Sequence, residues 1–225
     1  MGSSRLVDRF GRIVDGLRIS ITEACNFACI YCHREGIGPG AGGRQERQMK
    51  PEELGRIAKV AVQLGITKFK LTGGEPTLRP DVVDVVAELG AIKGVQDLSM
   101  TTNGSRLADI AYELAEAGLD RVNISLDTLR PERFKLITGR DGLNDVLAGI
   151  EAALDAGLRP VKLNMVLLKG LNDDEVWDLL AFAREKGAIL QIIELVRAPG
   201  MPELLFQTYH ADLSSLEARL ARQAT

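Results

Sequence analysis

The chain has 225 residues, of which 45% are hydrophobic and 26% are charged, and its formal net charge is −3. This composition is ordinary for a soluble globular protein, and the charge does not support a nucleic-acid or membrane partner, since both usually need a basic excess. No apolar run approaches the ~20 residues of a membrane span, and the N-terminal residues are charged where a signal peptide would be apolar. We therefore expect a cytoplasmic protein.

The length favours one domain over residues 1–225, with a core at about 6–200 and a C-terminal helix or tail at 201–225. A strand at 17–21 comes first, and repeated units of an apolar-faced helix, a glycine and a β-branched strand follow. The predicted helices cover residues 51–64, 81–89, 107–117, 143–156 and 173–186. The predicted strands after them cover residues 68–72, 97–101, 121–125, 161–166 and 189–195. The glycines expected to end these helices in a left-handed conformation are Gly65, Gly94, Gly118, Gly157 and Gly187. One more helix is predicted at 212–222.

Alternating strands and helices predict an α/β fold with a parallel sheet and right-handed crossovers. Six strands fit either an open doubly wound sheet or a curved, partly closed barrel, because a complete TIM barrel has eight units. In both cases ligands bind at the carboxyl ends of the strands. The polar positions expected at that edge are Thr22, 73–75, 101–103, Ser125, Asp127, Asn164 and Glu194.

All three cysteines, Cys25, Cys29 and Cys32, lie within eight residues of one another, directly after the first strand. A tight cluster of this kind in a reducing compartment indicates metal or redox chemistry rather than a disulfide framework. Three thiolates on a four-iron cube leave one iron without a protein ligand, so a substrate or cofactor can chelate it. The spacing therefore favours an iron–sulfur cluster.

Three other interpretations of the cysteines stay open. The run from Cys29 to His33 matches a haem-attachment pattern, although that chemistry belongs to exported proteins. A zinc site would use the three cysteines and His33, with Cys25 at an unusual spacing. A thioredoxin-like pair of Cys29 and Cys32 would leave Cys25 unexplained.

Two glycine-containing segments are also notable. Residues 71–76 read Leu-Thr-Gly-Gly-Glu-Pro at the end of the second strand. Gly73 and Gly74 let a ligand approach the backbone, and Glu75 offers an acceptor for an ammonium group, although such a segment alone marks only a turn. Residues 38–43 have a GxGxxG spacing, but no strand precedes them, so we expect a mobile loop rather than dinucleotide binding.

The Cys-x3-Cys-x2-Cys spacing, with an aromatic residue before the last cysteine, resembles the signature of the radical S-adenosylmethionine (radical SAM) superfamily. The resemblance implies a partial TIM-type (β/α)6 barrel and one 4Fe-4S cluster held by the three cysteines. It also implies that S-adenosylmethionine chelates the open iron and is cleaved to a 5′-deoxyadenosyl radical, which abstracts a substrate hydrogen. The cofactor-binding positions that match are Tyr31, Gly74, Glu75, Ser125 and Val196.

Longer segments resemble one branch, the GTP 3′,8-cyclase family of molybdenum cofactor biosynthesis. They are residues 17–22, 71–79, 101–104, 137–139, 161–164 and 193–195. The resemblance implies a lyase that removes the ribose 3′ hydrogen of GTP, forms (8S)-3′,8-cyclo-7,8-dihydroguanosine 5′-triphosphate, and needs a reducing electron donor. The positions that match substrate contacts are Arg18, Lys70, Thr101 and Lys162. Their charges suit a triphosphate.

The chain departs from that family at several points. Lys70 and Val196 stand where the family commonly has Arg and Met. The family's C-terminal region, with three more cysteines for a second cluster and a glycine-rich tail, has no counterpart in these 225 residues. We therefore expect weak GTP binding and little cyclised product from this chain. Two functional alternatives stay open. The chain could be a radical SAM enzyme that acts on another nucleotide or a peptide, or an inactive cluster-binding module. A homodimer also stays open.

Overall fold

The computed structural model describes residues 6–32, 48–197 and 200–223, so His33 and the predicted loop at 38–43 lie outside the described residues. Strands and helices alternate through most of this part of the chain. The strands are β1 (Gly16–Ser20), β2 (Lys68–Thr72), β3 (Asp97–Thr102), β4 (Arg121–Ser125), β5 (Lys162–Leu167) and β6 (Ile189–Glu194). The helices are α1 (Pro51–Gln63), α2 (Val82–Gly90), α3 (Leu107–Glu116), α4 (Pro131–Thr138), α5 (Leu143–Asp155), α6 (Val176–Lys186), α7 (Glu203–Tyr209) and α8 (Ser214–Gln223). No helix among the described residues is long and apolar enough to span a membrane.

The strands form one parallel sheet whose order follows the chain, β1-β2-β3-β4-β5-β6. A doubly wound sheet would contain a reversal of strand order, and this sheet has none. It therefore winds in one direction, as a TIM barrel does, but β1 and β6 do not pair and the sheet stays open. The predicted partial (β/α)6 barrel is confirmed.

The core lies between the sheet and the helices and takes every second residue of each strand. On β2, Phe69 and Leu71 are at most 1% exposed, and on β3 Leu98 and Met100 are equally buried. They share one continuous apolar cluster with helix residues such as Leu54 of α1. Because strand side chains alternate between faces, the residues between them point away from the helices. That second face carries the polar side chains of the sheet.

The predicted elements agree with the structure except at a few ends. The five glycines expected to end helices have φ values from 67° to 112° and are left-handed, as predicted. Helix α6 begins at Val176 instead of 173, because Asp173 and Glu175 use their side chains to bond Gly170 and Thr128. The short helices α4 and α7 were not predicted.

Candidate active site

The four predicted substrate residues lie on the polar face of the sheet, in two neighbouring rows. Arg18 of β1 pairs in register with Lys70 of β2. Thr101 of β3 and Lys162 of β5 both lie beside Asn123 of β4. The structure therefore brings residues from four strands onto one concave surface.

This surface carries an excess of positive charge. Burial lowers the pKa of Lys70, and the nearby cations Arg121, Arg18 and Lys162 lower it further. Arg121 is neutralised by two contacts to Asp97, at 2.8 and 2.6 Å. Within the described parts of the chain, Arg18, Lys70 and Lys162 form no ion pair. Three cations that repel one another in a partly buried place favour an anionic ligand.

The three cysteines lie on the loop that follows β1, and all three are free thiols. Burial raises the pKa of Cys25, and it raises the pKa of Cys29 to about 12. Negative charge on Cys32 raises the pKa of both further, so the three sulfur atoms are close enough to interact. A thiol with such a pKa stays protonated at neutral pH unless a metal takes the place of the proton.

The cysteine loop is anchored by groups distant in the chain. Asn103 donates from Nδ2 to Oδ1 of Asn26 at 2.8 Å, and Asn26 donates from Nδ2 to Oγ of Ser105 at 2.9 Å. On the other side, the amide of Ala28 donates to the carbonyl of Thr138 at 2.8 Å. The loop thus has its conformation fixed by the β3–α3 connection and by the end of α4.

Gly74 lies against the cysteine loop rather than against open space. A Cβ atom at Gly74 would come within 2.3 Å of the Ala24 carbonyl oxygen and 2.6 Å of that of Glu23. The amide of Gly74 donates to the Thr22 carbonyl at 2.8 Å. The structure thus gives this glycine a packing reason, and its place in the cofactor site stays a prediction. Its missing side chain lets two backbone segments pack together.

Glu75 is buried, with 1% of its surface exposed, and its carboxylate bonds to the protein itself. Oε1 accepts from the amide and hydroxyl of Thr77 and from the hydroxyl of Thr102, at 2.6 to 3.0 Å. Oε2 accepts from the amide of Asn103 at 2.6 Å. Three of these donors meet Oε1 and one meets Oε2, so Glu75 organises the ends of β2 and β3. Its role as an acceptor for an ammonium group stays a prediction.

The other predicted cofactor residues have different settings. Tyr31 is half-buried, and its hydroxyl donates to Oδ2 of Asp127 at 2.6 Å. Ser125 ends β4 and lies beside Asn164 in the sheet. Val196 follows β6 with 73% of its surface exposed, so the structure does not pack it against the others.

Asn164 is a candidate that the motifs did not single out, although it was expected at the ligand edge. Its Oδ1 is buried and is the one such side-chain atom without a hydrogen-bond partner in the described part of the chain. Buried polar atoms almost always have a partner, and an exception calls for an explanation. Its pairing with Ser125 places this unsatisfied acceptor at the predicted ligand edge of the sheet.

The chain matches the model of the Radical SAM superfamily over residues 19–183. It is 48% identical over 217 residues to the probable GTP 3′,8-cyclase of Methanothermobacter marburgensis, an alignment that covers 96% of this chain and 69% of that protein. This chain belongs to the GTP 3′,8-cyclase family of radical SAM proteins. The probable GTP 3′,8-cyclase of Thermococcus kodakarensis is 51% identical over 220 residues, which cover 97% of this chain and 69% of the relative.

Solved structures show the same fold. The structure of Streptococcus suis SuiB bound to S-adenosylmethionine superposes with a TM-score of 0.73 at 19% identity, covering 93% of this chain and 46% of that one. Native anSMEcpe with bound AdoMet gives a TM-score of 0.65 at 20% identity, covering 85% and 55%. This radical SAM chain therefore spans about half the length of these solved proteins.

Radical SAM proteins carry a 4Fe-4S cluster and S-adenosylmethionine, and both are cofactors of this chain. The residues present fit the cluster, because three free thiols follow β1 on one anchored loop. Within the described residues, no three His, Cys, Asp or Glu side chains are arranged to hold a single metal ion. A cluster binds each thiolate through a different iron, so it accommodates thiols that are near one another without meeting at one point.

Proposed function

We propose that GTP is the substrate and that this protein forms (8S)-3′,8-cyclo-7,8-dihydroguanosine 5′-triphosphate for molybdenum cofactor biosynthesis. The observation that carries the substrate is the group of Arg18, Lys70 and Lys162, which come from three strands onto the same concave face. The lowered pKa of Lys70 reflects burial and the repulsion within this group. A triphosphate would relieve that repulsion, and charge-assisted contacts contribute about 1.5–3 kcal/mol each. Thr101 adds a neutral hydroxyl donor in the same row as Lys162.

The roles of the chain's residues follow from their positions. Cys25, Cys29 and Cys32 hold the cluster, and Tyr31, Gly74, Glu75, Ser125 and Val196 are the proposed cofactor residues. Among these, Ser125 offers its hydroxyl at the strand end, whereas Gly74 and Glu75 shape the backbone around the cofactor. When bound and supplied with an electron by a reducing donor, the cluster and S-adenosylmethionine would provide the radical chemistry that removes the ribose 3′ hydrogen. The cations would orient GTP by its triphosphate, distant from the reacting ribose carbon.

The test is product analysis after anaerobic reconstitution with iron and sulfide. We expect 5′-deoxyadenosine from S-adenosylmethionine and, from GTP, only a small amount of the cyclised nucleotide with these 225 residues. Lys162→Ala should weaken GTP binding by roughly tenfold, the effect of one lost charge-assisted contact, and leave S-adenosylmethionine binding intact. Lys93→Ala is the matched control, since Lys93 is an exposed lysine of the α2–β3 connection.

Each alternative has its own outcome in that experiment. If the cofactor is cleaved, but GTP does not stimulate the cleavage and is not itself converted to product, the result would support a different substrate. Cluster and cofactor binding with no cleavage would support an inactive module. Because the chain covers 69% of its relatives' length, the amount of product formed by these 225 residues measures how much of the reaction they support alone.

A further inference from the structure

Asp127 connects the cysteine loop to the centre of the sheet. Its Oδ2 accepts from the hydroxyl of Tyr31 at 2.6 Å, and its Oδ1 accepts from the amide of Val166 at 2.8 Å. Its backbone carbonyl accepts from Nδ2 of Asn172 at 2.8 Å, which also donates to the Val166 carbonyl. The carboxylate is therefore held on both oxygens and cannot turn away from Tyr31.

The charge of this carboxylate has no cationic partner. Asp127 is 4% exposed, and within the described residues no Lys, Arg or His side chain forms an ion pair with it. Burial raises its pKa to about 6, although the two hydrogen bonds favour the ionised form. A buried, uncompensated charge is costly, so an interaction that uses the charge is the natural explanation for it.

The cysteine loop is where that charge acts. Tyr31 stands between two cluster ligands in the chain, so the bond to Asp127 fixes the loop between Cys29 and Cys32. Tyr31 is adjacent to Cys32 in the chain, so the carboxylate that its hydroxyl bonds at 2.6 Å lies one side chain away from the loop that holds the cluster. A fixed negative charge at that position disfavours an added electron on a cluster held by the loop.

We propose that Asp127 is a positioning residue for the iron–sulfur cluster. It holds Tyr31 in place, and its negative charge makes the cluster harder to reduce and therefore a stronger reductant once reduced. The proposal depends on the cluster and is independent of GTP. Residues around a metal's direct ligands commonly orient those ligands and tune the metal.

Two variants separate position from charge. Tyr31→Phe removes the hydroxyl and keeps the charge. The double variant Tyr31→Phe/Asp127→Asn also removes the charge, while its amide oxygen still accepts from Val166 and its NH2 group faces no competing donor. The readouts are iron per chain, the midpoint potential by redox titration with EPR detection, and the rate of cluster loss to an iron chelator. All are measured without S-adenosylmethionine or GTP.

Tyr31→Phe should lose its cluster to the chelator several times faster than the wild type. The double variant should have a reduced-to-oxidised ratio about tenfold higher than Tyr31→Phe at a fixed potential, as for a unit charge acting over roughly 10 Å at an effective dielectric constant near 20. For a one-electron couple this is an upward shift of about 59 mV. Glu175→Gln is the control, because Glu175 is a buried carboxylate that Arg133 neutralises at 2.7 Å.

Equal potentials in the single and double variants would overturn the role of the charge. A rate of cluster loss in Tyr31→Phe equal to that of the wild type would overturn the positioning role. A double variant that folds but takes up no iron, where Tyr31→Phe does, would overturn tuning of the potential and leave Asp127 as a residue of cluster assembly. An equally large shift of the midpoint potential in Glu175→Gln would show that the loss of any buried carboxylate changes the potential, and would overturn a specific role for Asp127.

Discussion

Gly74→Ala tests whether the second glycine of the Gly-Gly-Glu-Pro segment serves the ligand or the protein. The new Cβ would lie 2.3 Å from the Ala24 carbonyl oxygen, whereas ordinary van der Waals contacts begin at 3.4 Å. The cysteine loop must therefore move by about 1 Å. Overpacking of this kind costs about 1–3 kcal/mol, which in a chain of this size lowers the midpoint of thermal unfolding by roughly 2–12 °C. Moving Cys25 by a similar distance should also reduce cluster occupancy.

The assay is thermal unfolding of the cluster-free protein, followed by iron counting after anaerobic reconstitution. Gly16→Ala is the matched control, because a Cβ there would meet a single backbone atom, the Lys68 carbonyl oxygen, at 3.9 Å. We expect loss of stability and of iron in Gly74→Ala and neither in Gly16→Ala. If the two variants unfold at the same temperature and bind the same iron, packing of Gly74 against the loop is not the reason for its glycine.

Three other substitutions probe the rest of the site. Cys29→Ala should lose the brown colour and the bound iron while the apoprotein still folds, as iron counting and circular dichroism would show; full iron content would contradict the assignment. Asn164→Ala should keep or slightly raise apoprotein stability, because it removes an unsatisfied oxygen, and should weaken cofactor or nucleotide binding about two- to tenfold. Lower stability with unchanged affinity would show that Asn164 is structural. Glu75→Gln should destabilise the apoprotein by about 1.5–3 kcal/mol in urea unfolding, because the new NH2 group would face N–H and O–H donors that now bond the carboxylate. An effect on ligand binding alone would support the prediction that Glu75 accepts from the ammonium group of the ligand.

The fold followed from the sequence because its strands and helices have strong local signals. Each β-branched strand is short, follows a helix-ending glycine and alternates between faces, so its type and position depend little on distant residues. Helix α4 begins with a proline and ends at the left-handed Gly139, but it has only eight residues and a weakly amphipathic pattern. It packs through Phe134 on Phe27 of the cysteine loop. That contact is not visible in the local sequence.

The sequence predicted which residues line the site better than it predicted which partners they bond. The three cysteines and the row of cations follow from spacing and strand register. The roles of Glu75 and Asp127 could not be predicted, because the partners that decide them, Thr102 for Glu75 and Tyr31 for Asp127, lie 27 and 96 positions away in the chain. A motif indicates that a carboxylate is present at a strand end. It does not indicate whether that carboxylate is free for a ligand or already bonded to the protein.

The anchoring of the cysteine loop has a consequence for how the protein matures. Asn26 bonds to residues 77 and 79 positions further along the chain, and Tyr31 bonds to one 96 positions further. Contacts of such long sequence separation form late, after the intervening strands and helices are in place. The three thiols therefore reach their final arrangement only once the first four strands have folded. A nascent chain that exposes only its first hundred residues presents no finished receptor for iron, and cluster delivery must wait until the chain at least as far as Asp127 has folded.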